Sequence, residues 1–465
     1  MMNTTNIKKL QVLTLVPLLM MSTACASASV TEDAASGNEP AVKETVTEES
    51  AAAVTASAAV TAKTEYFTER DLEQTPDLTD AVRYTVSDGQ DINISNEGVY
   101  VLSGSAKEVT VTVDAADDAK VQIVLDGVTI TNTDSPAVYV KNADKVFVTT
   151  LAGTNSTLTV SGTFTADGDE NTNAVLYAKD DLVINGEGTL TVNSTKHGIN
   201  AKDDLKITGG TLVINAEDKG IRANDSVRIA GGTITIDAKD DGIHAENDDD
   251  DSVGWIYIAG GEITVSSGDD AVHATSTLVI DGGTLNISGG EGLEATDITI
   301  NDGDITINAS DDGINAGRKS SAYEVAITIN GGNIKITMNG FDTDAIDSNG
   351  NLTVNGGTID ITGQSAFDYD GKAEYNGGTI IVNGETVNAI TNQMMGGMGG
   401  MHGNMGDMNG QMPENGEMPE MGEMPSDGGF QGGHHGGMRP GMNENSGFPQ
   451  PNSSTDTQSD TENKF

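Results

Sequence analysis

The chain has 465 residues but only one cysteine, Cys25, and one tryptophan, Trp255. A lone thiol leaves no disulfide framework and, past residue 25, no thiol chemistry. Aromatic residues make up 4 % of the chain, and bases are scarce: 24 Lys and Arg face 71 Asp and Glu, a formal net charge of −47. That balance excludes nucleic acid as a partner, and it excludes a bare polyanion unless cations intervene. Few aromatics together with many β-branched residues and regularly spaced glycines point away from a globular α/β core and towards a regular β array.

The apolar-leaning run Leu10 to Met21 follows Lys8 and Lys9 and precedes Ser22-Thr23-Ala24. It is too short for a mature membrane span and reads as a signal peptide over 1–24. Cys25 at its end resembles the lipobox of bacterial lipoproteins, which implies a lipid anchor and the extracellular face of the membrane. Ser22 stands where a bulkier residue is usual, so cleavage and secretion without lipidation is the alternative. Residues 25–63 are a flexible spacer of Ala, Thr, Ser, Val and Glu. The segment from Thr68 begins like a short capped helix, suited to covering the end of a β array. After Asn388 the composition turns to Met, Gly, Glu and Pro, which predicts a disordered tail over 389–465. Its Met394, Met398, Met401, His402, His434 and His435 offer soft ligands for Cu(I), against the plainer reading of a low-complexity tail.

Between these ends the chain repeats itself. HGINAKDDLKITGGTLVINAEDK (197–219) is followed by GIRANDSVRIAGGTITIDAKDD (220–241), and related units continue to residue 363. Each unit of about 20–23 residues holds a G-I-x-A strand, an L/V-x-I strand and, after Gly-Gly, a T-I/L-x-I strand. Self-similarity at this period predicts a solenoid whose units bury their apolar faces by stacking. Without a helix in the unit, the fold class is all-β, a right-handed parallel β-helix over about 64–388. It is expected to be a monomer.

Equivalent residues of successive coils lie about 4.8 Å apart. Carboxylates one coil apart can therefore grip one calcium ion, which takes six to eight oxygens at about 2.3–2.6 Å. Two acid columns flank the G-I-x-A strand. Before it come Asp218, Asp240-Asp241, Asp269-Asp270, Glu291, Asp311-Asp312 and Asp342/Asp344; after it come Asp180-Asp181, Asp203-Asp204, Asp225 and the cluster at Asn247-Asp248. Turn chemistry alone accounts for many single Asp residues. The doubled acids at 240–241 and 269–270 repel unless neutralised, and they are the foremost Ca2+ candidates. The metal set is Asp203, Asp218, Asp225, Asp240, Asp241, Asp269, Asp270, Asp311 and Asp312. Asp167 to Asn173 alternates oxygen side chains like the start of a calcium loop, but without its closing Glu. Between the columns runs the outward position Asn200, Arg222, His244, His273, Glu294, Asn315 and Asp347, from which Arg222, His244 and His273 are candidate substrate ligands. Trp255 is a candidate for stacking on a sugar, or else pins its insertion to the coil surface.

AKDDLKITGGTLVINA (201–216), the repeated D-G-I and VQIVLDGVTITNTDSPAVYVKNADKVFV (121–148) resemble a family of clostridial carbohydrate-binding β-helix proteins, over about residues 65–385. The resemblance implies binding of polygalacturonate or cellulose, and bound calcium. The D-D-G-I-x stretch is also similar to the D-D-G-x-D calcium motif of pectate lyases of polysaccharide lyase family nine. Asp240 and Asp241 match its first two acids. His244 and His273 stand where a third acid would be, and Asp344-Ala-Ile-Asp347 has that acid. The function expected is calcium-dependent binding of an acidic, pectate-like polysaccharide by a non-enzyme. The alternatives are a calcium-dependent lyase, with Arg222 or a lysine such as Lys219 or Lys239 as base, and a structural or adhesive surface solenoid. Cellulose fits less well, since Trp255, Tyr257 and Tyr323 are the few aromatics near the insertions.

Overall fold

A strand that alternates Ile or Val with polar residues buries one face only, so three such strands per unit must close around a shared interior. In one coil these are His197–Ala201, Asp204–Ile207 and Thr211–Ala216. The structure, a computed structural model, describes residues 66–247, 249–340 and 343–392. The leader, Cys25, the spacer to residue 63, the Met/His-rich tail, Asp248 and Asp342 lie outside the described residues.

The strands form three sheets of 12, 13 and 13 members, each taking about every third strand of the chain. The first sheet holds the G-I-x-A strands, the second the L/V-x-I strands and the third the T-I/L-x-I strands. Neighbours pair in parallel throughout, until Glu385–Val387 folds back antiparallel on Thr379–Val382. This is a parallel β-helix, as the repeat predicts.

Register puts like on like. Ile199, Ile221, Ile243 and Val272 stack along the first sheet. Ile207, Ile229 and Ile258 do the same along the second, and Ile214, Ile236 and Val265 along the third. All of these side chains are buried. Each contributes roughly 1.5–3 kcal/mol relative to exposure. Two glycine positions are dictated by geometry. A Cβ on Gly220 would lie 2.7 Å from the carbonyl oxygen of Gly242 in the next coil, so the corner of the first sheet admits little more than hydrogen there. Gly232, at φ 102°, makes the turn from second to third sheet in a conformation closed to other residues.

The segment from Thr68 differs from expectation. It forms one hydrogen-bonded turn, Leu72 N donating to Thr68 O, with Thr68 and Asp71 capping one another reciprocally. It lies across the outer face of the second sheet, not over an end of the array. Asp71 is wholly buried between Lys145 and Lys206, and Phe67 packs on Ala230 and Tyr257. Lys206, whose one ion pair among the described residues is with Asp71, and Lys145, which Asp71 shares with Asp181, explain why the segment docks there.

Candidate functional site

The outward residue of each G-I-x-A strand stacks in the predicted register. Asn200 is aligned with Arg222, Arg222 with His244, His244 with His273, His273 with Glu294, Glu294 with Asn315, and Asn315 with Asp347. The column continues to Asp368 at one end and to Tyr177 and Tyr139 at the other. Although these side chains leave the core, Asn200, His244 and Glu294 are buried against their neighbours in the column. Asn200 Oδ1, Arg222 Nε, Asn315 Oδ1 and Asp368 Oδ1 of the column are buried without a hydrogen-bond partner, and His244 Nδ1 has only its ion-pair contact with Asp241 at 2.7 Å. Unsatisfied buried polar atoms are rare in folded proteins and mark places where water or a ligand is held.

The turn before this strand brings the doubled acids together, but in two groups rather than one. Asp240, Asp241 and Asp269 each present an oxygen within 4.8 Å of the others. An ion with calcium–oxygen distances of about 2.3–2.6 Å spreads its ligand oxygens over up to about 5 Å, so this all-oxygen set fits calcium. Lys219 also reaches the group, contacting Asp241 directly and Asp240 at 3.4 Å. Asp270 turns the other way and joins His273 and Glu294. A ring nitrogen in that set makes it a poorer match for a hard, oxygen-seeking ion, so of the doubled acids at 269–270 the structure brings Asp269, and not Asp270, to Asp240 and Asp241.

Electrostatics separate the two groups. Burial raises the Asp241 carboxyl, but the hydrogen bond from His244 at 2.7 Å and the Lys219 ammonium overcome this and hold it far below the usual range. Asp269 is pushed up by burial and by the charges of Asp241 and Asp240, the mark of a carboxylate short of a cation. His273 Nδ1 lies 2.9 Å from Asp270 and 2.6 Å from Glu294; these acids outweigh its burial and raise its pKa to about 10. Burial and the neighbouring Glu294 and Asp270 drive Glu291 upward.

The remaining candidates fall elsewhere. Asp218 pairs with Lys196 at 3.3 Å and His197 at 3.5 Å. Asp203 and Asp225 stack after the strand, Asn247 donating to Asp225 at 2.7 Å; burial and the acids Asp181, Asp204 and Asp225 raise Asp203 to about 6. Asp311 is exposed, whereas Asp312 accepts from the Asp344 backbone at 2.9 Å. Trp255 does not join the column: it lies on the second sheet, 5.5 Å from the Tyr66 ring and under the Arg228 guanidinium. There it helps seat the N-terminal segment. Tyr257 lies beneath the same segment, and Tyr323 donates to the Ser252 carbonyl. The Asp167–Asn173 loop is pinned by protein groups, Asp167 by Lys141 and Glu170 by Tyr177, rather than gathering its oxygens on one point.

Sequence reasoning missed Lys319 and the contact between the two insertions. Ser320 and Ser321 bond to Asp251 across about seventy residues of chain, and this delivers Lys319 onto Glu294. The extra length of the units at 242–270 and 313–344 was the only signal.

A family model for carbohydrate-binding domain-containing proteins matches residues 88–339 and 289–395. A carbohydrate-binding domain-containing protein of Acetivibrio thermocellus is 38 % identical over 124 residues, which is 26 % of this chain and 43 % of that protein, so the match spans less than half of the relative's own length. A solved polysaccharide lyase-like protein from C. thermocellum, a gadolinium derivative, aligns at 33 % identity over 45 % of this chain and 91 % of its own, with a TM-score of 0.43. With the family model covering most of the β-helix, the chain belongs to the carbohydrate-binding domain-containing proteins.

Proposed function

We propose that the outward column of the first sheet is a track for an acidic polysaccharide, and that calcium held by Asp240, Asp241 and Asp269 ties the polymer's carboxylates to this acidic protein. The observation that carries the reading is the juxtaposition of that carboxylate group with a column of polar side chains whose buried atoms lack partners. The coil step of about 4.8 Å is close to the length of one sugar along an extended glycan, so a chain lying along the axis meets an equivalent position at each sugar. When bound, calcium would supply positive charge that both sets of carboxylates share. The protein's own groups orient the chain: Arg222, His244 and His273 line the track between the acids.

Binding without cleavage is favoured by the protonation of the lysines. Asp241 and Asp240 outweigh burial at Lys219, and Glu294 does so at Lys319; both pKa values are raised, so neither lysine is a ready base. The protein is proposed to act outside the membrane, where such polymers occur.

The test is a titration of the purified full chain with polygalacturonate in calcium and in excess chelator. Binding that chelator leaves unchanged would overturn the calcium bridge. Release of unsaturated, ultraviolet-absorbing products would replace the binding reading with the lyase, and absence of affinity for any glycan would leave the structural solenoid.

A further inference from the structure

In the acid-flanked column, each basic group but one is already held by carboxylates. Lys219 is taken by Asp240 and Asp241, His244 by Asp241 and Glu246, His273 by Asp270 and Glu294, and Lys319 by Glu294. Arg222 is the exception. It sits between Asn200 and His244 in the ladder, half-buried, and among the described residues no carboxylate pairs with it. Its Nε is buried without a hydrogen-bond partner. In the preceding coil, Asn200 is wholly buried and gives its amide to Asn173 at 3.0 Å.

Among the described residues Arg222 forms no ion pair, although the chain's net charge is −47 and Glu246 is near enough to feel the guanidinium's charge. A guanidinium offers five donors in a planar fork that matches a carboxylate. Glu246 is held by His244, and Glu294 by His273 and Lys319, so the donors of Arg222 stay open to whatever enters the track.

We propose that Arg222 reads a uronate carboxylate of the polysaccharide directly, without metal, at a subsite one coil before the Asp240–Asp241 turn. The proposal rests on the track described above and adds to it a second, metal-independent determinant of acid recognition. The two lie about one to two coil steps apart, roughly 5–10 Å, so neighbouring sugars of one polyuronate chain reach both. The recognised class is therefore a polymer with acid groups on nearby sugars, and a neutral or esterified polymer loses both contacts.

The experiment titrates the full chain with a polygalacturonate oligomer and with its methyl ester, in calcium and in excess chelator. Wild type, Arg222→Gln and Arg222→Lys are compared. Wild type is expected to prefer the acid over the ester in both media. Arg222→Gln is expected to lower acid affinity about tenfold or more in both and to abolish the preference that persists in chelator, with calcium affinity and melting temperature unchanged. Arg222→Lys recovers part of the loss. Equal binding of the acid by Arg222→Gln and wild type overturns the proposal. So does a loss that falls equally on acid and ester, which is the signature of a structural role. If wild-type binding disappears entirely in chelator, the metal-independent contact is wrong while the calcium track stands. If wild type binds neither form in either medium, both fall.

Discussion

The imidazole rings of His244 and His273 stack across one coil step, their centroids 4.6 Å apart and 17° from parallel. Each ring also touches two carboxylates, so the pair alternates with acids along the column. For His273 the consequence is measurable. Its folded pKa lies near 10, above the ordinary value of 6.5. The stability this supplies is fully present below about pH 6.5 and is lost as pH rises towards 10. Without added metal, His273→Gln should lower the melting temperature most at pH 6 and below. The gap from wild type should narrow steadily as pH is raised to 10, and a constant gap would contradict the assignment.

Asp347 carries the opposite sign. Burial and the charges of Asp312, Asp368 and Asp344 raise its carboxyl to about 7. The folded state then binds a proton more tightly than the unfolded state, so stability falls as pH rises from about 4 to 7. Asp347→Asn in chelator is expected to raise the melting temperature at pH 8 by roughly 2–4 °C and to change it little at pH 4. Thermal melts across that range decide it.

Asp269→Asn addresses the calcium group with the least collateral damage. Among the described residues Asp269 has no ion pair, whereas Asp241 is bound to Lys219 and His244. The substitution should weaken calcium binding about tenfold or more by calorimetry, and in chelator it should leave the fold intact or slightly steadier, because a repelled carboxylate is gone. Unchanged calcium affinity would remove Asp269 from the site.

Asp71→Ala should destabilise the docking of residues 66–74 by about 3–5 kcal/mol, since it leaves Lys206 buried opposite no acid. Limited proteolysis should then cut near Thr68 far faster than in wild type, and equal cutting rates would show that the ion pair does not hold the segment.

The coil was legible because its signal is repeated: Ile221, Ile243 and Ile314 each recur in one short motif, and any single register error would put a whole strand's apolar set outside. The outward column followed from the same register. Partners within the column did not. Asp269 and Asp270 are adjacent in sequence, yet they sit in the turn between two strands, where no period sets side-chain direction, and one meets Asp240 and Asp241 while the other meets His273. Lys319 arrives on an irregular insertion, where no period guides the eye. The contact of Trp255 with Tyr66 was not legible, because Tyr66 lies far away in sequence.

The near-identity of coils makes the length of the track a quantity that can be edited. The coils that begin at Gly198, Gly220 and Gly242 meet through the same Ile-on-Ile contacts and the same glycine corner. One more copy of a coil such as 220–241 would therefore join without a new core, and would extend the row by a single Arg-bearing step. Removing a coil would bring the two ends of the row closer by the same step. Reach along the polymer thus scales with the number of coils, while the chemistry of each step is set by one outward residue.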